Sequence, residues 1–278
     1  MSTKIICVAN DTAPANSTLK VEHGLSYWID TGSGIVMLDT GKSVEVLTHN
    51  LSQLGLEAGK VDALVISHSH YDHTGGLEAL PIRTPKIPLY AHADVFRVRY
   101  SLRDGQYRPV GFSQSREEIE ARFELILREE AVEVLPGLWT TGEIRQRAEA
   151  EGRSSNHFVK VGEEWQPDPY RDDLSLVLKT SRGLALICGC CHAGLLNTLW
   201  QGKADFKEPI TTVIGGTHLM SAEGEALRHV IRELGSHFPG MRYYLNHCTG
   251  EEAITALQQA FGEDVQPCPA GTVIELED

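Results

Sequence analysis

The sequence predicts an α/β fold, and three observations carry that expectation. Strand-like and helix-like patterns interleave from one end to the other, and no internal repeat or low-complexity linker interrupts them. A length of 278 residues with 41% hydrophobic and 23% charged residues suffices for one sizeable core. The chain 1–278 is therefore expected to form a single domain.

The elements follow in order. Leu25 to Ile29 and Ile35 to Leu38 read as strands separated by the turn Asp30-Thr31-Gly32-Ser33-Gly34, with Asp39-Thr40-Gly41 closing the second. Ser43 to Leu54 reads as an amphipathic helix with Val44, Leu47, Leu51 and Leu54 on one face. Val61 to Ile66 is a short apolar run bounded by polar residues, the pattern of a buried strand, and it ends at a histidine cluster. Ile87 to Ala91 resembles the next strand. Arg97 to Phe123 is polar, arginine-rich and irregular before an acidic helical pattern, and is taken as an inserted cap. Ala131 to Thr141 looks like a further strand region, and Gly142 to Arg171 like a long polar binding loop. Leu174 to Lys179 and Leu184 to Cys188 form a hairpin, and Thr211 to Ile214 and Arg242 to Leu245 supply two more strands with helices between and after.

Composition narrows the function. A formal charge of −13 repels a phosphate backbone, so no nucleic-acid partner is expected and a small-molecule substrate is. No stretch approaches the roughly 20 apolar residues of a membrane helix, so no membrane partner is expected either. The start, MSTKIICVANDT, holds a short strand-like run without the features of a signal peptide, which makes a cytoplasmic location the expectation. Cys7, Cys188, Cys190, Cys191, Cys248 and Cys268 do not space like a disulfide framework or a paired structural zinc site, so reduced thiols are expected.

The chemistry concentrates in His68-Ser69-His70-Tyr71-Asp72-His73, three histidines and an aspartate in six residues directly after an apolar run. Residues two apart in a strand-to-loop segment project to the same side, so His68 and His70 reach one metal ion. Asp72 and His73 lie one turn later, where they face a second. Imidazole with carboxylate suits zinc foremost, with iron and manganese as alternatives, and two ions about 3.5–4 Å apart clamp an attacking hydroxide and a substrate oxygen.

His68-x-His70-x-Asp72-His73 after a strand resembles the signature motif of the metallo-β-lactamase superfamily. That resemblance implies a four-layer αββα sandwich with a two-metal site on one edge. Met37-Leu38-Asp39-Thr40-Gly41 is similar to the superfamily's early strand, which implies that Asp39 supports the metal site from behind its ligands. Glu22-His23-Gly24-Leu25-Ser26, Thr141-Gly142-Glu143-Ile144, Asp172-Asp173-Leu174, Gly189-Cys190-Cys191-His192, Gly215-Gly216-Thr217-His218-Leu219 and Asn246-His247-Cys248-Thr249-Gly250 recur in the order of one branch. Together they resemble the dihydropterin-methyl-ribofuranosylaminobenzene-phosphate synthase-like branch over nearly the whole chain.

The resemblance implies His247 as the last metal histidine. The sequence departs from the superfamily where a histidine precedes the hairpin and a bridging aspartate ends it. Cys190 stands where that aspartate is expected, and His192 lies two residues on; His192 is preferred as a ligand, with Cys190 or Asp173 as alternatives and Asp172 beside them. His218, after Gly215-Gly216, is assigned substrate contact or proton donation, and Asp72 a catalytic role besides ligation. Tyr71 is placed toward substrate, and Arg97, Arg99 and Arg103 offer bidentate grips for an anion. The expected activity is a metal-dependent hydrolase acting through hydroxide on a small anionic ester or phosphoester. A pterin-coupling transferase and a non-catalytic metabolite-binding protein of the same fold are the alternatives, and nothing suggests a flavin domain for redox chemistry. The oligomeric state is open.

Overall fold

The computed structural model describes residues 2–277. Side-chain alternation builds its two central layers. In the strand Ser2–Ala9, Ile5 and Cys7 face one side and Ile6 and Val8 the other. The same split separates Tyr27 and Ile29 from Trp28, Val36 and Leu38 from Met37, and Val65 from Leu64. Neighbouring strand residues must point to opposite faces, so strands apolar on both sides are strands covered on both faces.

The inward set meets Leu176, Leu178, Ala185, Ile187 and Ile214 of a second sheet in one shared core. The outward set packs on Leu47 and Leu51 of the helix Val44–Gln53. Across the molecule, Leu184, Leu186 and Val213 pack outward on the helices Leu195–Phe206, Gly224–His237 and Glu251–Phe261. The layers therefore run helix, sheet, sheet, helix, the αββα sandwich. Each fully buried aliphatic side chain is worth about 1.5–3 kcal/mol, so a one-residue slip that exchanged the faces of a strand would be heavily penalised.

Each sheet has seven strands. The first places Ile35–Leu38, Ala63–Val65, Ile87–Ala91 and Phe123–Leu127 parallel to one another. The second does the same with Gly183–Cys188, Ile210–Gly215, Arg242–Leu245 and Val265–Pro267. Parallel strands deliver their carboxyl ends to one edge, where ligands bind in α/β sheets. Asp39, the histidine motif, Cys190, His218 and His247 all follow such strand ends.

Most expected elements fall within two residues of the observed ones. Ser43 is the N-cap of its helix, its hydroxyl accepting from the Val46 amide. Two expectations are corrected. The part of Arg97 to Phe123 before its acidic helical pattern is not irregular: it holds the strands Arg99–Arg103 and Gln106–Pro109, while the helical pattern is the helix Arg116–Arg122, which carries a capping box from Ser115 to Glu118. The loop Gly142 to Arg171 likewise contains strands His157–Val161 and Glu164–Pro167, and the four strands form one small sheet. Its strands are short and buried only at Arg99, Ser101 and Val159, and aromatic stacking helps to hold them, with Tyr107 and Trp165 ring centroids 3.6 Å apart. Val265–Pro267 and Val273–Glu277, not foreseen as strands, complete one edge of each large sheet. Among the described residues no helix is long and apolar enough to cross a membrane. All six cysteines are free and buried.

Candidate metal centre

The strand Ala63–Val65 ends at Ser67, whose amide and hydroxyl both donate to the buried carboxylate of Asp39, at 2.8 and 2.7 Å. The same carboxylate contacts His73 Nδ1 at 2.6 Å. His73 is thus turned so that its Nε2 points away from Asp39 and toward His247 and Cys190. The other rings are oriented by the same device. His68 Nδ1 contacts the Ser67 hydroxyl at 2.9 Å, His247 Nδ1 contacts Asp11 at 2.6 Å, and His192 Nδ1 contacts the Gly152 carbonyl at 3.2 Å.

Two groups of donor atoms result, each with its members within 4.8 Å of one another. One is His68, His70 and His192; the other is Asp72, His73 and His247. Cys190 adjoins both histidine sets, its sulfur 3.2 Å from His73 Nε2. His73 Nε2 lies 3.3 Å from His247 Nε2, which lies 3.5 Å from an Asp72 oxygen, and His68 Nε2 lies 3.0 Å from His70 Nδ1. Ligands of one tetrahedral zinc ion stand roughly 3.3–3.8 Å apart, given bonds of about 2.0–2.3 Å. The Nε2 atom of His192 is buried with no hydrogen-bond partner, a costly state for a polar atom unless it has a ligand. The donor set fits two divalent cations.

Electrostatics agree with that fit. Burial, then neighbouring imidazoles, holds His68 and His192 well below the usual histidine range, and burial does the same for His70. These are neutral rings, the form that ligates. Burial opposes ionisation of Asp72, yet the hydrogen bond with His247 and the charges around it keep its carboxyl well below the usual range. His247 is held well above its ordinary value against burial by Asp11 and Asp72, so a cation at its Nε2 displaces a proton.

Of the donors, His70, Asp72, Cys190, His192 and His247 line a cleft of about 70 Å³ with His23, Tyr71, Arg103, His157 and His218. His157 and His218 are held down to about 4, chiefly by burial, and stay neutral at pH 7. A larger hollow of about 500 Å³ between 148–153 and the helix Gly224–His237 shares His218 with the cleft.

These placements separate the residues singled out in the sequence. His68, His70, Asp72, His73, His192, His247, Cys190, Tyr71, Arg103 and His218 converge. Arg97 does not: Asp94, three residues earlier, takes its Nε at 2.9 Å, and it lines a separate hollow with Phe96 and Phe112. Arg99 is no surface grip but fully buried, bridging Asp94, Asp168 and Asp172 at 3.1, 3.0 and 2.7 Å. Asp172 also accepts from the Ser69 amide, and Asp173 from that of Ala193, so both brace loops rather than joining a donor group. Burial pushes Asp173 up to about 7.

Other contributors had been assigned no role. Asp11 holds His247, and His23 Nε2 lies 3.4 Å from Asp72; Glu22-His23-Gly24 and Asn10-Asp11 after a strand-like run were their only signals. Tyr170 stacks on His192 with centroids 4.4 Å apart, and its hydroxyl contacts His157 at 2.8 Å, though no motif marks it.

Residues 19–151 match the metallo-β-lactamase superfamily model. The solved structure of Tm1679, described as a metal-dependent hydrolase of the β-lactamase superfamily, superposes with a TM-score of 0.85 over 99% of this chain and 100% of that one, at 27% identity. This chain carries a metallo-β-lactamase superfamily domain. Within the superfamily it is 28% identical, over 98% of its own length and 96% of the relative's, to the 7,8-dihydropterin-6-methyl-4-(β-D-ribofuranosyl)-aminobenzene-5'-phosphate synthase of Methanocaldococcus jannaschii. The zinc-bound PqqB of Methylobacterium extorquens shares the fold, with a TM-score of 0.60 and 11% identity over 99% of each chain.

Proposed function

We propose that this superfamily member is a dinuclear metal-dependent hydrolase of a small anionic phosphoester or ester. The observation that carries the reading is the pairing of the His68, His70, His192 group with the Asp72, His73, His247 group, both opening on one cleft that also holds Arg103. Two bound divalent ions supply Lewis-acid polarisation and an activated nucleophile at neutral pH. The chain's own residues do the rest. Arg103 gives the anion a planar donor fork at the rim. His157 and His218, neutral at pH 7, each offer a ring N–H or a lone pair to the substrate, which favours positioning over delivery of a full proton charge. Asp72 is a carboxylate throughout the neutral range and receives the charge of the neighbouring rings.

A transferase reading has one specific support, the full-length similarity to a relative named a synthase. Zinc- or manganese-loaded protein assayed for phosphate release from simple aryl phosphoesters and for coupling of a dihydropterin diphosphate to an arylamine separates the two. Ester turnover that falls at least about 100-fold in Asp72→Asn supports hydrolysis. Coupling without ester turnover replaces it with transfer, and neither activity in metal-replete protein overturns both.

A further inference from the structure

Beside the histidines, the cleft wall contains two sulfurs whose placement the hydrolase reading leaves unused. Cys190 follows the strand Gly183–Cys188, and Cys248 lies in the turn His247–Thr249 after Arg242–Leu245. These strands are not neighbours; Ile210–Gly215 lies between them. Their sulfurs meet because the intervening loop carries Gly216, where a Cβ would stand 2.7 Å from Cys248 Sγ. Cys190 Sγ, Cys248 Sγ and a His247 nitrogen all lie within 4.8 Å of one another.

We infer that Cys190 and Cys248 act together as a thiolate pair holding the second metal ion beside His247, which makes that position selective for thiophilic ions such as zinc over manganese or magnesium. The inference rests on the metal-centre reading above. Thiols that merely filled the wall would need no polar group aimed at them, and both have one. His73 Nε2, fixed by Asp39 behind it, lies 3.2 Å from Cys190 Sγ. Cys248 Sγ accepts the His218 amide at 3.3 Å, and an amide donor stabilises sulfur in its anionic form. Both residues are buried in the wall of the cleft. Thiolate donors favour zinc, while manganese and magnesium prefer oxygen. The first group is all imidazole and has only Cys190 beside it, whereas the second has both sulfurs, so the two positions differ in the ions they prefer.

Cobalt(II) titrated into metal-stripped full-length protein tests this spectroscopically. Wild type is expected to develop a thiolate-to-cobalt charge-transfer band in the near ultraviolet alongside visible ligand-field bands. Cys190→Ser and Cys248→Ser each should keep about half of the charge-transfer intensity and the double variant none, since each sulfur contributes its own transition. Cys188→Ala, in the helix-side core, should keep all of it, and His68→Ala should lose cobalt stoichiometry but retain the band. Wild-type ligand-field bands without a charge-transfer band overturn the thiolate pair and leave the metal centre standing, whether or not the variants fold. A band that survives intact in the folded double variant also overturns it. No cobalt bound by wild type in equilibrium dialysis overturns the metal centre and the pair together.

Discussion

Five of the eight non-glycine residues with positive φ among the described residues surround the cleft: Asp39, Tyr170, Cys191, His218 and His247. Such backbone costs about 1–3 kcal/mol per residue, and its clustering marks a site where orientation of side chains overrides local comfort. Asp39 is the residue on which most orientation depends, because it binds both Ser67 and His73. Asp39→Asn keeps the volume but replaces one acceptor oxygen with a donor, so His73 loses its anionic anchor. Zinc affinity should fall about 10–100-fold, read by competition with a chromophoric chelator; unchanged affinity would remove Asp39 from the support of the site. The rings also set a pH dependence. The unfolded chain protonates His157 and His218 near 6.5, whereas the folded chain holds them neutral until about 4. The unfolded state therefore binds more protons between those values, and stability is lost as pH falls through that window. Urea unfolding of metal-stripped protein at pH 5 should give about 2 kcal/mol less stability per ring than at pH 7, a deficit that His157→Gln reduces.

At the scale of elements, what could be read in advance depended on how far apart in sequence the interacting parts lie. The six-residue motif and the strand before it were legible because period, polarity and ligand chemistry all fall within one short window. The central strands were legible because both their faces are apolar. The small sheet was not, since Arg99–Arg103 and His157–Val161 are short and mix polar with apolar residues, and their pairing joins segments more than fifty residues apart. Arg99 illustrates the cost of that blindness: within its segment it reads as a solvent-facing arginine, yet three distant or folded-back carboxylates enclose it. It ties the small sheet to the motif, since Asp172, its partner, also holds the Ser69 amide. Arg99→Leu removes the cation and leaves Asp168 and Asp172 buried without it. Breaking such a pair costs about 3–5 kcal/mol, so urea midpoints should drop correspondingly; a loss under about 1 kcal/mol would mean that the sheet is held by its aromatic stacking instead.

For the whole molecule, a net charge of −13 stands against the proposed anionic substrate. Long-range repulsion is screened beyond about 8–10 Å at physiological salt, so the charges that matter for capture are those lining the cleft. The metal ions would supply most of the local positive charge, and Arg103 is the arginine of the cap segment placed beside them. Its Nε makes a contact at 3.3 Å to the Ser101 hydroxyl, and among the described residues no carboxylate pairs with it. Arg97 shares its segment and residue type but is neutralised by Asp94 and faces another hollow. The pair is therefore a matched test of whether substrate recognition follows position or merely segment charge. Arg103→Ala should raise KM for an anionic aryl phosphoester about 10-fold or more, the loss of roughly 1.5–3 kcal/mol from a charge-assisted contact. Arg97→Ala should leave KM unchanged, and both variants should retain wild-type zinc content by metal analysis. Equal effects of the two substitutions would show that diffuse charge, not the cleft, governs binding; no effect of either would place the substrate's anionic group on the far side, toward His218 and the larger hollow.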